Sequence, residues 1–322
     1  MLNKLQGIIM KIVITGANGF IGSYMANYFI KNGHEVIATS RQFHPTTRSL
    51  LNGSTIHELD VLDTNQLNAF SETADIIIHT ATANDIVSKN TLKGIELSAL
   101  GTKNILDLAV RNKIPHCIVF STLQVYGMEL TGTITEDSPL LFQNDYGVNH
   151  IFCELYADLY ARQGKVKTVS VRPSNVYGRI LSDSFNRWSL VPGCFCKEAY
   201  ESGTITIKSS GKQMRNFVNL ENVSRAVDCI MEHFPDQYEC FNLASSQSDT
   251  MIAVAEKVKT VYEKMYNKKL HLNITGTEPA STNFFDVSLE KLKKIGFSEN
   301  ENFTLDSEIE QLFYYLNSKQ TK

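Results

Sequence analysis

Three glycines, Gly16, Gly19 and Gly22, stand at every third position of KIVITGANGFIG (11–22). A short apolar run, Ile12, Val13 and Ile14, leads into them and stops at Thr15. An amphipathic segment, Ser23 to Lys31, follows and is closed by Asn32-Gly33. Strand, glycine turn and helix in this order form a cradle for the pyrophosphate of a dinucleotide. Residues without a Cβ let the backbone approach phosphate oxygens, and the first N–H groups of the helix meet the negative charge. A glycine triplet alone carries little, but a second apolar run, Glu35 to Thr39, supplies the next strand that the motif requires. Gly16, Asn18, Gly19, Phe20, Ile21 and Gly22 are therefore the first candidate binding residues.

The elements that position this turn alternate. Strands are expected at 11–15, 35–39, 55–59, 75–79, 116–120 and 166–172. Helices are expected at 20–32, 64–72, 91–112 and 144–163. Strand–helix alternation of this kind argues an α/β fold, a Rossmann-like doubly wound parallel sheet. From Pro173 the alternation breaks down. Short strands (204–207, 216–219) and helices (190–201, 221–233, 249–264) are mixed with irregular chain, as expected of a smaller C-terminal substrate-binding region. We place the dinucleotide-binding domain at 10–175, with 216–244 returning to it, and the substrate region at 176–215 and 245–322. No internal repeat or low-complexity linker separates them.

The chain has 322 residues with a net charge of −3 and no basic block, which points away from nucleic acid and anionic membranes as partners. No apolar run is long enough to span a bilayer. The opening MLNKLQGIIM lacks the apolar core and small-residue cleavage site of a secretory signal. Six scattered cysteines make no zinc set; Cys194-Phe-Cys196 is the one close pair. Reduced thiols and a cytoplasmic location are the expectation, with no bound metal.

Seven segments in order carry a resemblance: TGANGFIG, the turn Asp60 to Asp63, IIIHTA (76–81), STLQVYG (121–127), the Tyr146 helix, VRPSNVYG (171–178) and GKQMRNFVNLENVSRAV (211–227). The chain resembles the extended short-chain dehydrogenase/reductases, in the branch of nucleotide-sugar epimerases, dehydratases and reductases, from about Met10 onward. The resemblance implies an NAD(P)-dependent enzyme acting on a nucleotide-activated sugar. It assigns Asp60 and Val61 to the adenine side of the cofactor, and Thr80, Ala81 and Thr82 to the chain beside it. NAD-binding members hold the adenosine ribose with a carboxylate at the end of the second strand. Here Ser40-Arg41 stand in that place, a neutral residue and a guanidinium fork suited to a 2′-phosphate, so NADP(H) is favoured over NAD(H).

The resemblance likewise makes Thr122 the hydroxyl that orients a reacting carbonyl and Tyr146 the proton donor. A lysine four residues after the tyrosine normally lowers its pKa; here the residue is His150. The i,i+4 spacing keeps it on the tyrosine's face of the helix. Protonated, it would replace the lysine's charge and favour activity at lower pH; neutral, it would leave the site altered or damaged. Ser98 stands where the family usually has asparagine. Asn175 and Arg215 match residues that contact the nucleotide sugar's phosphates. Trp188, Tyr177 and Phe217 are read as core aromatics, and His79 as a structural histidine.

These readings give an NADPH-dependent 4-keto-sugar reductase. A 4-epimerase with tightly held NAD, and a catalytically impaired cofactor-binding regulatory protein, are the alternatives. A dehydratase fits less well, because Leu123-Gln124 replace the acidic pair that such members carry after the Ser/Thr. By analogy alone, a homodimer through helices at about 91–112 and 144–163 is expected.

Overall fold

The computed structural model describes residues 8–181, 188–277 and 283–320. They pack as two compact units. The first comprises the chain up to Ser121, Asn144–Val171 and Pro235–Cys240. The second comprises Thr122–Gln143, Arg172–Phe234 and the chain from Phe241 on. The cut thus falls at the ends of two central strands rather than at 175, and only a short stretch returns, not all of 216–244.

The first unit is built from β1 (Lys11–Thr15), α1 (Phe20–Lys31), β2 (Glu35–Ser40), α2 (Pro45–Leu50), β3 (Thr55–Glu58), α3 (Thr64–Ala69), β4 (Ile76–His79), α4 (Thr91–Ile95), α5 (Gly101–Arg111), β5 (His116–Phe120) and α6 (Asp145–Arg162). With β7 (Lys167–Pro173) and β11 (Glu239–Leu243) its strands form a seven-stranded sheet in the order β11-β7-β5-β4-β1-β2-β3. The pairings from β7 to β3 are all parallel. Strand order runs outward from β1 in both directions, the doubly wound arrangement expected. Its switch point lies at β1 and β4, where such sheets take ligands at the strands' C-terminal ends. The central strands are apolar on both faces because helices cover both, and Ile12, Ile14, Ile76, Ile77 and Ile78 are fully buried.

One expected helix is interrupted. Residues 91–111 run as α4, a π-helical turn over Glu96–Leu100, and α5. Ser98 lies inside the wider turn. Its side-chain oxygen accepts the Ala83 N–H at 3.1 Å, and its carbonyl accepts the Cys153 thiol at 3.4 Å. Such turns recur near functional sites.

The second unit holds three small sheets. β8 (Asn175–Tyr177) pairs parallel with β10 (Met214–Asn219), which pairs antiparallel with β12 (Ser248–Thr250). β6 (Gly132–Ile134) pairs with β14 (Phe285–Val287), and β9 (Thr204–Ile207) with β13 (His271–Ile274). Helices α7 (Gly193–Ser202), α8 (Leu220–Glu232), α9 (Met251–Tyr266), α10 (Glu290–Lys294) and α11 (Leu305–Gln320) complete it.

Candidate active site

The glycine turn is shaped by close approach. Gly16 has φ +70°, and a Cβ built there would lie 2.8 Å from Thr80 Oγ1 and 3.0 Å from the Ala81 nitrogen. A Cβ on Gly22 would lie 2.4 Å from the Gly16 carbonyl oxygen. Neither position has room for a methyl group. Thr80 holds the opposite wall, its hydroxyl donating to the Thr15 carbonyl at 2.6 Å. Gly19 caps α1 with no side-chain hydrogen bond, and the helix has no acidic residue in its first turn. No carboxylate of the helix's own first turn competes for its N-terminus, which suits a pyrophosphate. These residues fit a dinucleotide.

Beyond the turn, Asn18, Ser40, Arg41, Gln42, Asp60 and Gln66 line one pocket at the ends of β2 and β3. Four of these are residues expected on the cofactor side; Gln42 and Gln66 are additions. Gln66 accepts the Asp60 N–H at 2.8 Å, and Asp60 Oδ1 accepts the Leu62 N–H at 3.0 Å. The carboxylate thus shapes its own turn with one oxygen and lines the pocket. Asn18 accepts the His44 N–H at 3.1 Å and pins the next loop beside it. Arg41 is exposed and makes no ion pair among the described residues.

Further along the same sheet edge, His79 behaves as the structural histidine expected. Its Nδ1 lies 2.7 Å from Thr15 Oγ1 and its Nε2 3.2 Å from Thr102 Oγ1. Full burial pushes its pKa down to about 3. On α6, Tyr146 and His150 are brought together: the rings meet edge to face with centroids 4.6 Å apart. His150 is 3 % exposed, and its Nδ1 lies 3.2 Å from the Phe120 carbonyl oxygen. Burial lowers its pKa to about 4, outweighing the Phe120 and Ala83 backbone groups and the charge of Glu154, which favour protonation. Of the two states the sequence leaves open for this ring, the lowered value points to the uncharged one.

Glu154 was missed from the sequence. It lies one turn beyond His150, buried, and accepts the Ser121 hydroxyl at 2.5 Å. Its spacing, eight residues after Tyr146, is the signal that would have found it. Tyr146, His150 and Glu154 form one column on a single helix face.

Thr122, Asn175 and Arg215 belong to the second unit. Thr122 is buried and caps a short turn by accepting the Gln124 N–H at 3.3 Å. Asn175 pairs in register with Phe217, so its side chain shares a sheet face with Phe217 and Arg215. Asn175 donates to the Asn216 carbonyl at 2.8 Å. Arg215 is half-buried and donates to the Met214 carbonyl at 3.1 Å. Asp249, opposite it in the ladder, is instead bonded to Lys257 at 2.9 Å. Asn216 is a second residue the sequence left without a role: it clamps the following loop through Ser245 and Gln247. Tyr177 and Phe217 are buried, and Trp188 packs on Tyr315.

Residues 12–244 match the NAD dependent epimerase/dehydratase family. The chain belongs to this family. Its members are enzymes, NAD-dependent and acting on nucleotide sugars. The epimerase/dehydratase chain is 25 % identical over 260 residues to the low-salt glycan biosynthesis protein Agl12 of Haloferax volcanii, covering 77 % of this chain and 81 % of that one. It is 25 % identical over 303 residues to a UDP-N-acetyl-alpha-D-glucosaminuronate decarboxylase of Bacillus cytotoxicus, covering 91 % and 88 %. Its fold matches that of UDP-glucuronic acid 4-epimerase from Bacillus cereus in complex with UDP-glucuronic acid and NAD. The TM-score is 0.81 at 21 % identity, over 96 % of this chain and all of that one. No helix among the described residues is long and apolar enough to cross a membrane.

Proposed function

We propose that this member is an NADPH-dependent reductase of a nucleotide-activated 4-keto sugar. The observation that carries the reading is the pocket at the end of β2. Ser40 and Arg41 occupy the place where a carboxylate would hold ribose hydroxyls, and among the described residues the exposed Arg41 guanidinium makes no ion pair. A 2′-phosphate suits that fork. Gly16, Asn18, Gly19, Phe20, Ile21 and Gly22 would hold the pyrophosphate, Asp60 and Val61 the adenine side, and Thr80, Ala81 and Thr82 the chain toward the nicotinamide. Bound NADPH would supply the hydride. Tyr146 donates the proton to the carbonyl oxygen, Thr122 orients that oxygen, and His150 stands beside the phenol. Asn175 and Arg215 take the sugar nucleotide's phosphates. The half-buried Arg215 guanidinium, with no carboxylate paired to it among the described residues, supports that role.

Exposed Leu92, Ile95 and Leu100 on the α4–α5 segment, with Leu155 and Leu159 on α6, support a homodimer through these helices. The absence of a bilayer-length helix among the described residues supports a cytoplasmic location. A second reading, a 4-epimerase with tightly held NAD, is favoured by the Bacillus cereus 4-epimerase complex with NAD. Fluorescence titration with NADPH and NADH, with and without a panel of nucleotide sugars, separates them. Tighter NADPH binding, strengthened by one nucleotide class, is expected. NADH preference, or cofactor retained through purification, points to the epimerase. Binding of neither points to the non-catalytic protein.

A further inference from the structure

We propose that Lys257 keeps the phosphate-binding face of the second unit open. It holds Asp249 away from Arg215 and so leaves the Arg215 guanidinium to the diphosphate of the nucleotide sugar. This role rests on the reading of Arg215 as a phosphate ligand and adds a positioning residue to it.

The ladder sets up a competition. β10 and β12 run antiparallel, with Arg215 directly opposite Asp249. Side chains of such partners stand on one face of the sheet with Cβ atoms about 4.5–5.5 Å apart, close enough for an opposite-charge pair. An arginine fork also matches a carboxylate in shape. Yet Arg215 makes no ion pair among the described residues, and its Nη1 donates to the Met214 carbonyl at 3.1 Å. Asp249 Oδ2 instead accepts Lys257 Nζ at 2.9 Å.

The partner that wins comes from α9. Thr250 ends β12 and caps this helix by accepting the Ala253 N–H at 3.1 Å, so Asp249 stands just ahead of the first turn. Lys257 lies in the second turn. Side chains on a helix lean toward its N-terminus, and the long, flexible stem of lysine spans what remains.

The charges on this face give the contact its purpose. Burial, and beyond it the charges of Glu308, Glu299 and Asp249, raise the pKa of Tyr177, two residues along β8 from Asn175. A diphosphate arriving between Asn175 and Arg215 therefore meets an acidic surround. Asp249 is the acid opposite Arg215, and Lys257 covers it. Burial meanwhile pulls the Arg215 pKa below its ordinary value. A guanidinium drawn out of water calls for an anion, and with Asp249 engaged the anion comes with the ligand. Without Lys257, Asp249 is released to Arg215, and carboxylate and phosphate compete for the same N–H donors.

Calorimetric titration of the full chain with UDP, dTDP, GDP and CDP tests this. One of the four should bind the wild type. Lys257→Gln should weaken that diphosphate about tenfold or more, because a charge-assisted fork is lost to Asp249. Lys257→Arg, which keeps the cation, and Lys257→Gln with Asp249→Asn, which removes the competitor, should both bind within about threefold of the wild type. A Lys257→Gln variant that binds as tightly as the wild type overturns the proposal. So does a double variant as weak as Lys257→Gln, which would make Lys257 a phosphate ligand itself. If Lys257→Gln does not fold, Asp249→Asn decides: binding at least as tight as the wild type is expected, and a tenfold loss would make Asp249 a ligand and overturn the proposal. Arg215→Ala separates the two failures. If it leaves binding unchanged, or if none of the four binds the wild type, the phosphate reading of Arg215 falls and takes the role of Lys257 with it. If Arg215→Ala abolishes binding and Lys257→Gln does not weaken it, the role of Lys257 alone falls.

Discussion

Gly16 and Gly22 face the end of β4 and each other across distances that exclude a methyl group. Four residues beyond Tyr146, by contrast, His150 stands where the family resemblance leads one to expect a lysine, and the helix is intact. On the proposed reading the glycine turn works through backbone N–H groups, so its requirement on sequence is steric and admits one residue type. On α6 the same reading works through side chains, and the requirement is a charge, a hydrogen bond or a shape, any of which another residue meets in part.

Substitutions break this comparison most sharply at the turn. Gly22→Val drives side-chain carbon into the Gly16 carbonyl and should abolish detectable cofactor binding in a fluorescence titration. A variant that still binds at wild-type affinity would show that the turn is no cradle. Tyr146→Phe comes next: kcat should fall by roughly 100- to 10,000-fold, the usual worth of a positioned proton donor, with cofactor affinity nearly unchanged.

The buried histidines give a pH signature. Their folded-state pKa values, about 4 for His150 and about 3 for His79, lie below the ordinary 6.5. The unfolded chain therefore binds more protons between those values, and stability is complete above about pH 6.5 and lost as pH falls toward 4. His150 alone accounts for on the order of 3 kcal/mol at the lower end, measurable by urea unfolding at pH 7, 5.5 and 4.5. A flat profile would mean that the buried rings take up protons in the folded state as readily as in the unfolded one.

Smaller effects sharpen the picture. Arg41→Ala should weaken NADPH about tenfold or more and leave NADH within about twofold, since one charge-assisted contact is removed. Ser98→Ala should cost about 1 kcal/mol by orphaning the buried Ala83 N–H, and urea unfolding measures it.

The sequence made the sheet legible because its strands are continuous apolar runs separated by turn residues, and the observed boundaries of β1 and β5 coincide with those expected. The glycine turn was legible for the same reason that it is strict. The π turn was not, because residues 91–111 keep a helical pattern, and the bonds of Ser98 within the turn reach Ala83 and Cys153 in distant segments. The state of His150 was also out of reach. Residue type gives an ordinary pKa, whereas burial of the ring lowers it against the backbone bonds of Phe120 and Ala83. Glu154 escaped notice because a carboxylate on a helix is ordinarily solvated, and only the Ser121 contact marks it as buried.

The central claim, NADPH-dependent reduction of a keto sugar, is tested most directly by mixing purified protein with NADPH and a panel of nucleotide 4-keto sugars while following loss of NADPH and the sugar product together. The account predicts stoichiometric oxidation of NADPH and reduction of one keto sugar at C4. Interconversion of C4 epimers of a nucleotide hexose without net consumption of NADPH would contradict it.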